Sequence, residues 1–382
     1  MSKMKSIVTS SIVSRLKDMI DTTEAYKIEL EKCITEANWT PPYQETPISN
    51  LDDFYEYLDK LLVTTPADAT FSDLFHGLYY IISQRGNKFQ KDANFADFKN
   101  WMILFTQQYG AFLNSPQSAN DLQSFIDDKG FVIENFVVPP GGFNNFNTFF
   151  CRHIKPGKRP IGTKTLAYEN SATGLAQNPK EDPNEIHKNM ADDTVITVPA
   201  DSVYKGSWKI SETNEITVSK GNTYSIDTLL NHSKYADRFK NGIFTHSYLT
   251  VLTYHRYHTP VRGTILEKKV LSGDVFANVL IDEQGHLGAT DGTDYQFSQE
   301  RGLLVMDSPV GLVACLPIGM DVISSCNFSV DEGDYLNKGD EFGNFLFGGS
   351  DMIMLFERDD IDIKVSEIDK LYKLGQVFGR AK

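Results

Sequence analysis

The sequence predicts an α+β protein, with a helical N-terminal region followed by a β-rich barrel or sandwich core. Three observations carry that expectation. Apolar residues up to about 130 recur at helical spacing. A Val-Val-Pro-Pro-Gly-Gly segment at 137–142 then punctuates the chain as a candidate domain junction. From about residue 194 onward, short β-rich runs alternate with Gly, Asp and Pro turns, a pattern of closed or sandwiched antiparallel strands and not of a parallel α/β sheet. The corresponding domains are a helical extension over 1–140 and a β-rich domain over 141–382.

The elements follow in order. Met4, Ile7, Val8, Ile12, Leu16 and Met19 form an apolar stripe with Lys3, Lys5, Arg15 and Lys17 nearby; packing on the protein's own core is the preferred reading over a membrane surface. Helical periodicity is clearest over Leu51–Leu62, Phe71–Ile82 and Phe95–Phe112, and Asp52 and Asp53 suit a first helical turn. A Ser-Pro-Gln-Ser break at 115–118 precedes a short helix over 119–128. His76 reads as a core or interface histidine. Phe143–Phe150 reads as a short buried helix, and the basic segment Arg152–Arg159 as an anion-binding patch or a helix end with solvated charges. Residues 165–193 read as a polar surface loop. Strands are expected over 194–198, 203–210, 215–218, 244–254, 263–270, 276–281, 303–306, 311–317 and 321–328, with a short helix over 224–230.

The composition excludes several classes. The net charge of −14 opposes nucleic-acid binding, which needs a basic surface, and gives no help at an acidic membrane. The four cysteines, Cys33, Cys151, Cys315 and Cys326, are scattered without a C-x-x-C pair, so reduced thiols in the cytoplasm are the simplest reading. No apolar run reaches the length of a membrane span, and 1–20 is too mixed for a signal peptide; membrane contact would be peripheral at most.

Three stretches can carry chemistry. In Phe345–Phe356 two apolar runs flank Gly348-Gly349-Ser350-Asp351, which reads plainly as a hairpin or strand-to-strand turn. The sharper reading is a self-cleaving serine: Ser350 supplies a hydroxyl, and Gly349 a carbonyl open to close approach. In Tyr254-His255-Arg256-Tyr257-His258, two histidines lie three apart. They suit proton transfer, a strand-end packing role, or a metal pair, the last weakly because no third ligand is evident. In Val198-Pro199-Ala200-Asp201, the aspartate is a turn residue or a carboxylate that orients a histidine. A serine hydrolase would show a Gly-x-Ser-x-Gly elbow, and the closing glycine is absent here.

Taken together and in order, these segments resemble the phosphatidylserine decarboxylase family. Phe149-Phe150-x-Arg152…Arg159-Pro160-Ile161 looks like its Phe-Phe-x-Arg…Arg-Pro-Ile signature, Val198–Asp201 its Ser-Pro-Ala-Asp segment, and Tyr254–Pro260 its Asp-Tyr-His-Arg-x-His-x-Pro motif. Glu300-Arg301, Pro317–Met320, Lys338–Gly343 and Phe347–Ser350 resemble the remaining motifs up to the Gly-Ser cleavage site, so the likeness covers about 143–360. The helical region upstream resembles the extension of a soluble branch.

The resemblance implies a pyruvoyl-dependent carboxy-lyase that is made as a zymogen. Ser350, His258 and Asp201 would form the self-processing triad, cutting the chain between Gly349 and Ser350. The peptide would become an ester; β-elimination and hydrolysis would then leave a pyruvoyl group derived from Ser350. The fragments 1–349 and 350–382 would stay associated, in a homo-oligomer by analogy with relatives. The new carbonyl would condense with the substrate amine and draw electrons as CO2 leaves, with His255 protonating the α-carbon. Two departures stand out. Thr253 replaces the usual Asp, and Asp351 replaces a common Thr, which would put a negative charge beside the cofactor. The resemblance implies phosphatidylserine as substrate. The alternative is a free L-amino acid, the aromatic ones included, as in soluble fungal relatives. A degenerate member that binds lipid or a partner without processing would lack Ser, His or Asp, and all three are present.

Overall fold

The computed structural model describes residues 10–66, 71–128, 131–164, 182–218, 223–273, 275, 277, 279–282, 285–289, 295–320, 325–346 and 349–382. The chain is α+β and divides into two compact units. The first holds the chain up to Ser124, the short piece Asn144–Phe146 and the segment Asp274–Gly292. The second holds 125–143, 147–273 and 293–382. Among the described residues, no helix is long and apolar enough to cross a membrane.

The first unit is built on the helices Ser11–Thr22, Glu24–Ala37, Leu51–Leu61, Phe71–Lys91 and Ala96–Leu113. Sequence chemistry sets their ends: the Ser10 hydroxyl accepts from the Val13 amide, and the Asn50 side chain from the Asp53 amide. Ile12 and Leu16 of the N-terminal stripe are buried, while Met4, Ile7 and Val8 lie outside the described residues. The core is aromatic, with Phe89, Phe98, Trp101 and Phe105 in successive ring contact. The helix Glu24–Ala37 escapes an apolar-periodicity reading because its inner face includes Glu29, which is buried and paired with Arg85 and Lys88. Arg85 reaches it from the left-handed break Arg85–Asn87 within Phe71–Lys91. The hairpin Val279–Ile281/Leu287–Ala289 packs on this same helix, where His76 Nδ1 lies 3.1 Å from the Leu287 carbonyl. Its expected start, Phe276, lies outside the described residues.

The second unit is organised by an eight-stranded antiparallel sheet. Its strands run, in spatial order, Tyr335–Leu336, Gly263–Leu271, Arg301–Ser308, Gly311–Met320, Gly349–Phe356, Ile243–Leu249, Ser202–Lys209 and Leu371–Tyr372. Gly349–Phe356 is a central strand, paired on both edges. One face buries Leu312, Ala314, Leu316, Ile318, Ile353 and Leu355 with Ile226, Leu229 and Phe239. Smaller sheets complete the unit. Ser325–Phe328, Glu341–Leu346 and Arg256–His258 form one, and Val195–Thr197, Val377–Ala381 and Ile361–Ile363 another.

Three expectations are corrected. Glu341–Leu346 and Gly349–Phe356 belong to different sheets, so their link is a passage between sheets and not a hairpin. Within the expected loop 165–193, Pro183–Ala191 is a helix, capped by the Asp182 side chain and opened by proline; residues 165–181 lie outside the described set. The expected helix over 224–230 is present but shorter, a single turn over Ile226–Leu229, because Thr223–Ser225 ahead of it pairs as a strand.

Candidate active site

Ser350 stands second in its strand, fully buried, with Gly319 opposite it on one side and Leu249 on the other. Gly349 is opposite Met320. A residue in a central strand is held by two ladders, so the Gly349–Ser350 peptide starts from a fixed geometry.

The chain that pairs with Ser350 also carries the histidines. Beyond Leu249 it turns: the Thr253 amide and hydroxyl both bond the Thr250 carbonyl, the hydroxyl at 2.7 Å. Thr253, where a carboxylate was expected, therefore closes a turn. His255 follows, and its carbonyl accepts from the Phe345 amide at 3.0 Å. His255 thus follows, one turn on, the strand that pairs with Ser350, and its carbonyl ties it to the approaching strand at Phe345.

Arg152 holds this turn from behind. Its guanidinium donates to the Leu252 and Thr253 carbonyls at 2.9 and 3.0 Å and to the Phe149 carbonyl at 3.2 Å. It is buried, with the rings of Phe131, Phe136 and Phe149 between 4.3 and 4.8 Å away. Burial lowers its pKa to about 9, which leaves it charged at neutral pH. Of the two readings of the basic segment, solvated charges fail for Arg152 and Arg159; both are sequestered.

His255 is buried, stacked on Phe150 at 3.7 Å between ring centroids, and its Nδ1 has no hydrogen-bond partner among the described residues. Burial first, and then the Arg152 charge, hold its pKa well below the usual histidine value, so the ring is neutral. His258 lies in the strand Arg256–His258, its amide bonded to the Pro199 carbonyl. Its Nδ1 lies 2.8 Å from the Gly339 carbonyl and its Nε2 3.3 Å from the Tyr254 hydroxyl. A carbonyl can only accept, so the proton sits on Nδ1 and the lone pair on Nε2. Burial lowers the His258 pKa more than Gly339, Glu341 and Asp201 raise it. Gly339 has φ of +87°, and a Cβ there would lie 2.5 Å from Ile161, so glycine is required where this carbonyl is presented.

Asp201 is buried just ahead of the strand Ser202–Lys209, but its carboxylate is taken by Arg159, with Nε at 2.8 Å and Nη2 at 2.5 Å, and by the Leu374 amide at 2.9 Å. Among the described residues it makes no hydrogen bond to either histidine. Burial would raise its pKa; the charge and hydrogen bonds of Arg159, with Lys373 and Leu374 behind them, outweigh burial and hold it below the usual value. Its remaining influence on His255 and His258 is through its charge.

Asp351 departs from expectation. Neighbours in a strand point to opposite faces, so its carboxylate turns away from the Ser350 face. It is fully buried and bonded to His246 Nε2 at 2.8 Å and to Gln296 Nε2 at 3.1 Å. Sequence reading missed His246, Gln296 and the Arg159–Asp201 pair, because each partner lies far away along the chain. The alternation of Phe244–Tyr248 was the only available signal for His246.

Comparison with known proteins matches this arrangement to one family. The phosphatidylserine decarboxylase family profile matches residues 180–380, from the helix ahead of Asp201 to the end of the last strand. The rice protein named phosphatidylserine decarboxylase proenzyme 2 is 30% identical over 69% of this chain, a stretch that covers 38% of the rice protein. A Fusobacterium nucleatum phosphatidylserine decarboxylase proenzyme is 26% identical over 72% of this chain and 82% of its own length. The L-tryptophan decarboxylase of Psilocybe cubensis is 28% identical over 64% of this chain and 54% of its own length. The family profile thus spans more than half of the chain, including Asp201, both histidines and the Gly349–Ser350 strand, and the chain belongs to the phosphatidylserine decarboxylase family.

Proposed function

We propose that this chain cuts itself between Gly349 and Ser350 and then works as a pyruvoyl-dependent decarboxylase, with phosphatidylserine as substrate and phosphatidylethanolamine and CO2 as products. The observation that carries the reading is the burial of Ser350 in a doubly paired strand whose partner, Ile243–Leu249, runs through one turn into two neutral histidines. These residues fit the group. A serine is its precursor, and a dry central strand would shield a carbonyl from water.

In self-processing, the Ser350 hydroxyl attacks the Gly349 carbonyl carbon. The C–N bond breaks, the serine proton passes to the departing nitrogen, and an ester joins the two residues. His258 suits the base, since its Nε2 lone pair is free of a proton; Tyr254 would have to yield that nitrogen to the serine. Asp201 assists through its charge, held in place by Arg159. Loss of the Ser350 α-proton and of the Gly349 carboxylate then leaves dehydroalanine, and water replaces its nitrogen as ammonia. A pyruvoyl group formed at residue 350 would supply an electrophilic carbonyl, the electron sink for loss of CO2 from an amine substrate. His255, whose Nδ1 has no hydrogen-bond partner among the described residues, is the group we assign to proton delivery at the substrate carbon, and Arg152 fixes its turn.

A free aromatic amino acid is the second reading, favoured by the similarity to an L-tryptophan decarboxylase. The two separate in one assay. Purified protein and Ser350→Ala are offered phosphatidylserine in mixed micelles, then L-tryptophan, L-tyrosine and L-phenylalanine, and CO2 and amine are measured. Serine-lipid turnover that Ser350→Ala lacks is the expected result. Turnover of an aromatic amino acid alone assigns the second reading, and turnover of neither rejects the proposal.

A further inference from the structure

The His246–Asp351–Gln296 cluster lies one residue beyond the proposed cut and has no part in the reaction described above. All three side chains are more than nine-tenths buried. His246 and Asp351 come from paired strands whose register sets His246 opposite Ile353 and Tyr248 opposite Asp351. Alternate residues share a face, so His246 and Asp351 are diagonal neighbours on the side away from Ser350. The imidazole Nε2 bonds Asp351 Oδ2 at 2.8 Å, and Gln296 supports the same oxygen from the turn Tyr295–Phe297.

Cleavage alters what residue 350 depends on. Before it, the peptide to Gly349 restrains the head of the strand. Afterwards residue 350 is a chain terminus, and termini fray unless tied down. Backbone pairing with Gly319 and Leu249 persists, and the side chain of the next residue, Asp351, is anchored by His246 and Gln296. A displacement of about 1 Å at a reacting group can cost about a hundredfold in rate. We propose that His246 and Asp351 are positioning residues: their cross-strand pair holds residue 350 in register, first as the nucleophile and then as the head of the small fragment. The pair acts from behind the sheet and touches neither substrate nor cofactor. This inference rests on the reading of Ser350 as the self-cleavage residue.

The test compares wild type, His246→Gln, His246→Phe, Asp351→Val and the double variant His246→Phe/Asp351→Val. Intact mass under denaturing conditions follows the cleavage rate. Phenylhydrazine, added to native protein, reports the reactivity of the new carbonyl. His246→Gln keeps a donor for Asp351 and is expected within about threefold of wild type, whereas His246→Phe slows cleavage about tenfold or more. The double variant is expected to be no slower than the worse single, because a pair already broken has nothing further to lose. Rescue by glutamine separates positioning from mere filling of space. Wild-type cleavage and carbonyl reactivity in His246→Phe would overturn the inference, as would single losses that add in the double. If the single variants do not fold, the double variant, which buries no unpaired charge, decides: slow cleavage supports the pair and wild-type cleavage rejects it. A wild-type chain that never cleaves instead removes the Ser350 reading itself.

Discussion

His255 is buried and His258 half-buried, both as neutral rings, and this sets two pH dependences. A histidine whose folded pKa lies below its unfolded value binds more protons when unfolded. Stability from these two groups is therefore fully present above about pH 6.5 and falls as pH drops through that value toward the folded pKa values. Denaturant titrations from pH 7.5 to 5 should show the decline. The same directions give self-cleavage a flat profile above about pH 6.5 and a loss only at more acid pH, since His258 is already unprotonated. Arg159→Met should strand the Asp201 carboxylate, destabilising the protein by about 3–5 kcal/mol in urea unfolding and slowing cleavage. At this scale the sequence was legible where chemistry is local. Ser350 beside Gly349, and His255 with His258, can be read from spacing. The partners of Asp201 and Asp351 could not, because Arg159 and His246 reach them only through strand pairing and loop packing.

Among the elements, Glu341–Leu346 has the clearest leverage. It pairs with Arg256–His258 on one edge and with Ser325–Phe328 on the other, then leads toward Gly349. At Gly343 an added Cβ would lie 2.0 Å from the Asn327 carbonyl oxygen and 2.4 Å from the Tyr257 ring. The first neighbour is backbone and cannot swing aside. Gly343→Ala should therefore shift the strand, cost about 1–3 kcal/mol in stability, and slow cleavage by displacing His255 and His258 together. An unchanged cleavage rate by intact mass would show that this strand does not set the histidines. Element types were mostly legible: strong periodicity gave the helices at 51, 71 and 96, and β-rich runs the main strands. Glu24–Ala37 was obscured by its buried, paired Glu29, and Pro183–Ala191 by its polar surface. Each is stabilised by contacts or caps that apolar periodicity does not register.

For the whole molecule, the proposed cut falls at the head of a central strand and not in an exposed loop. The segment 350–382 would still supply that strand, the edge strand Leu371–Tyr372, and the pair Ile361–Ile363 and Val377–Ala381. Removing it would open the eight-stranded sheet between Gly311–Met320 and Ile243–Leu249. The two fragments should therefore co-migrate in native size-exclusion chromatography and separate only in denaturant. The α+β class was legible because period 3.6 gives way to period 2 along the chain. The return of the segment around 279–289 to the helical unit was not, since nothing in a short apolar hairpin names its partner.

The most direct measurement is the intact mass of the purified protein under denaturing conditions, with Ser350→Ala alongside. Two fragments that meet between Gly349 and Ser350, the smaller carrying a pyruvoyl group in place of its N-terminal serine, and a single uncut chain in Ser350→Ala are the predicted result. A wild-type chain that stays whole after prolonged incubation, or one cut equally in the variant, would contradict the account.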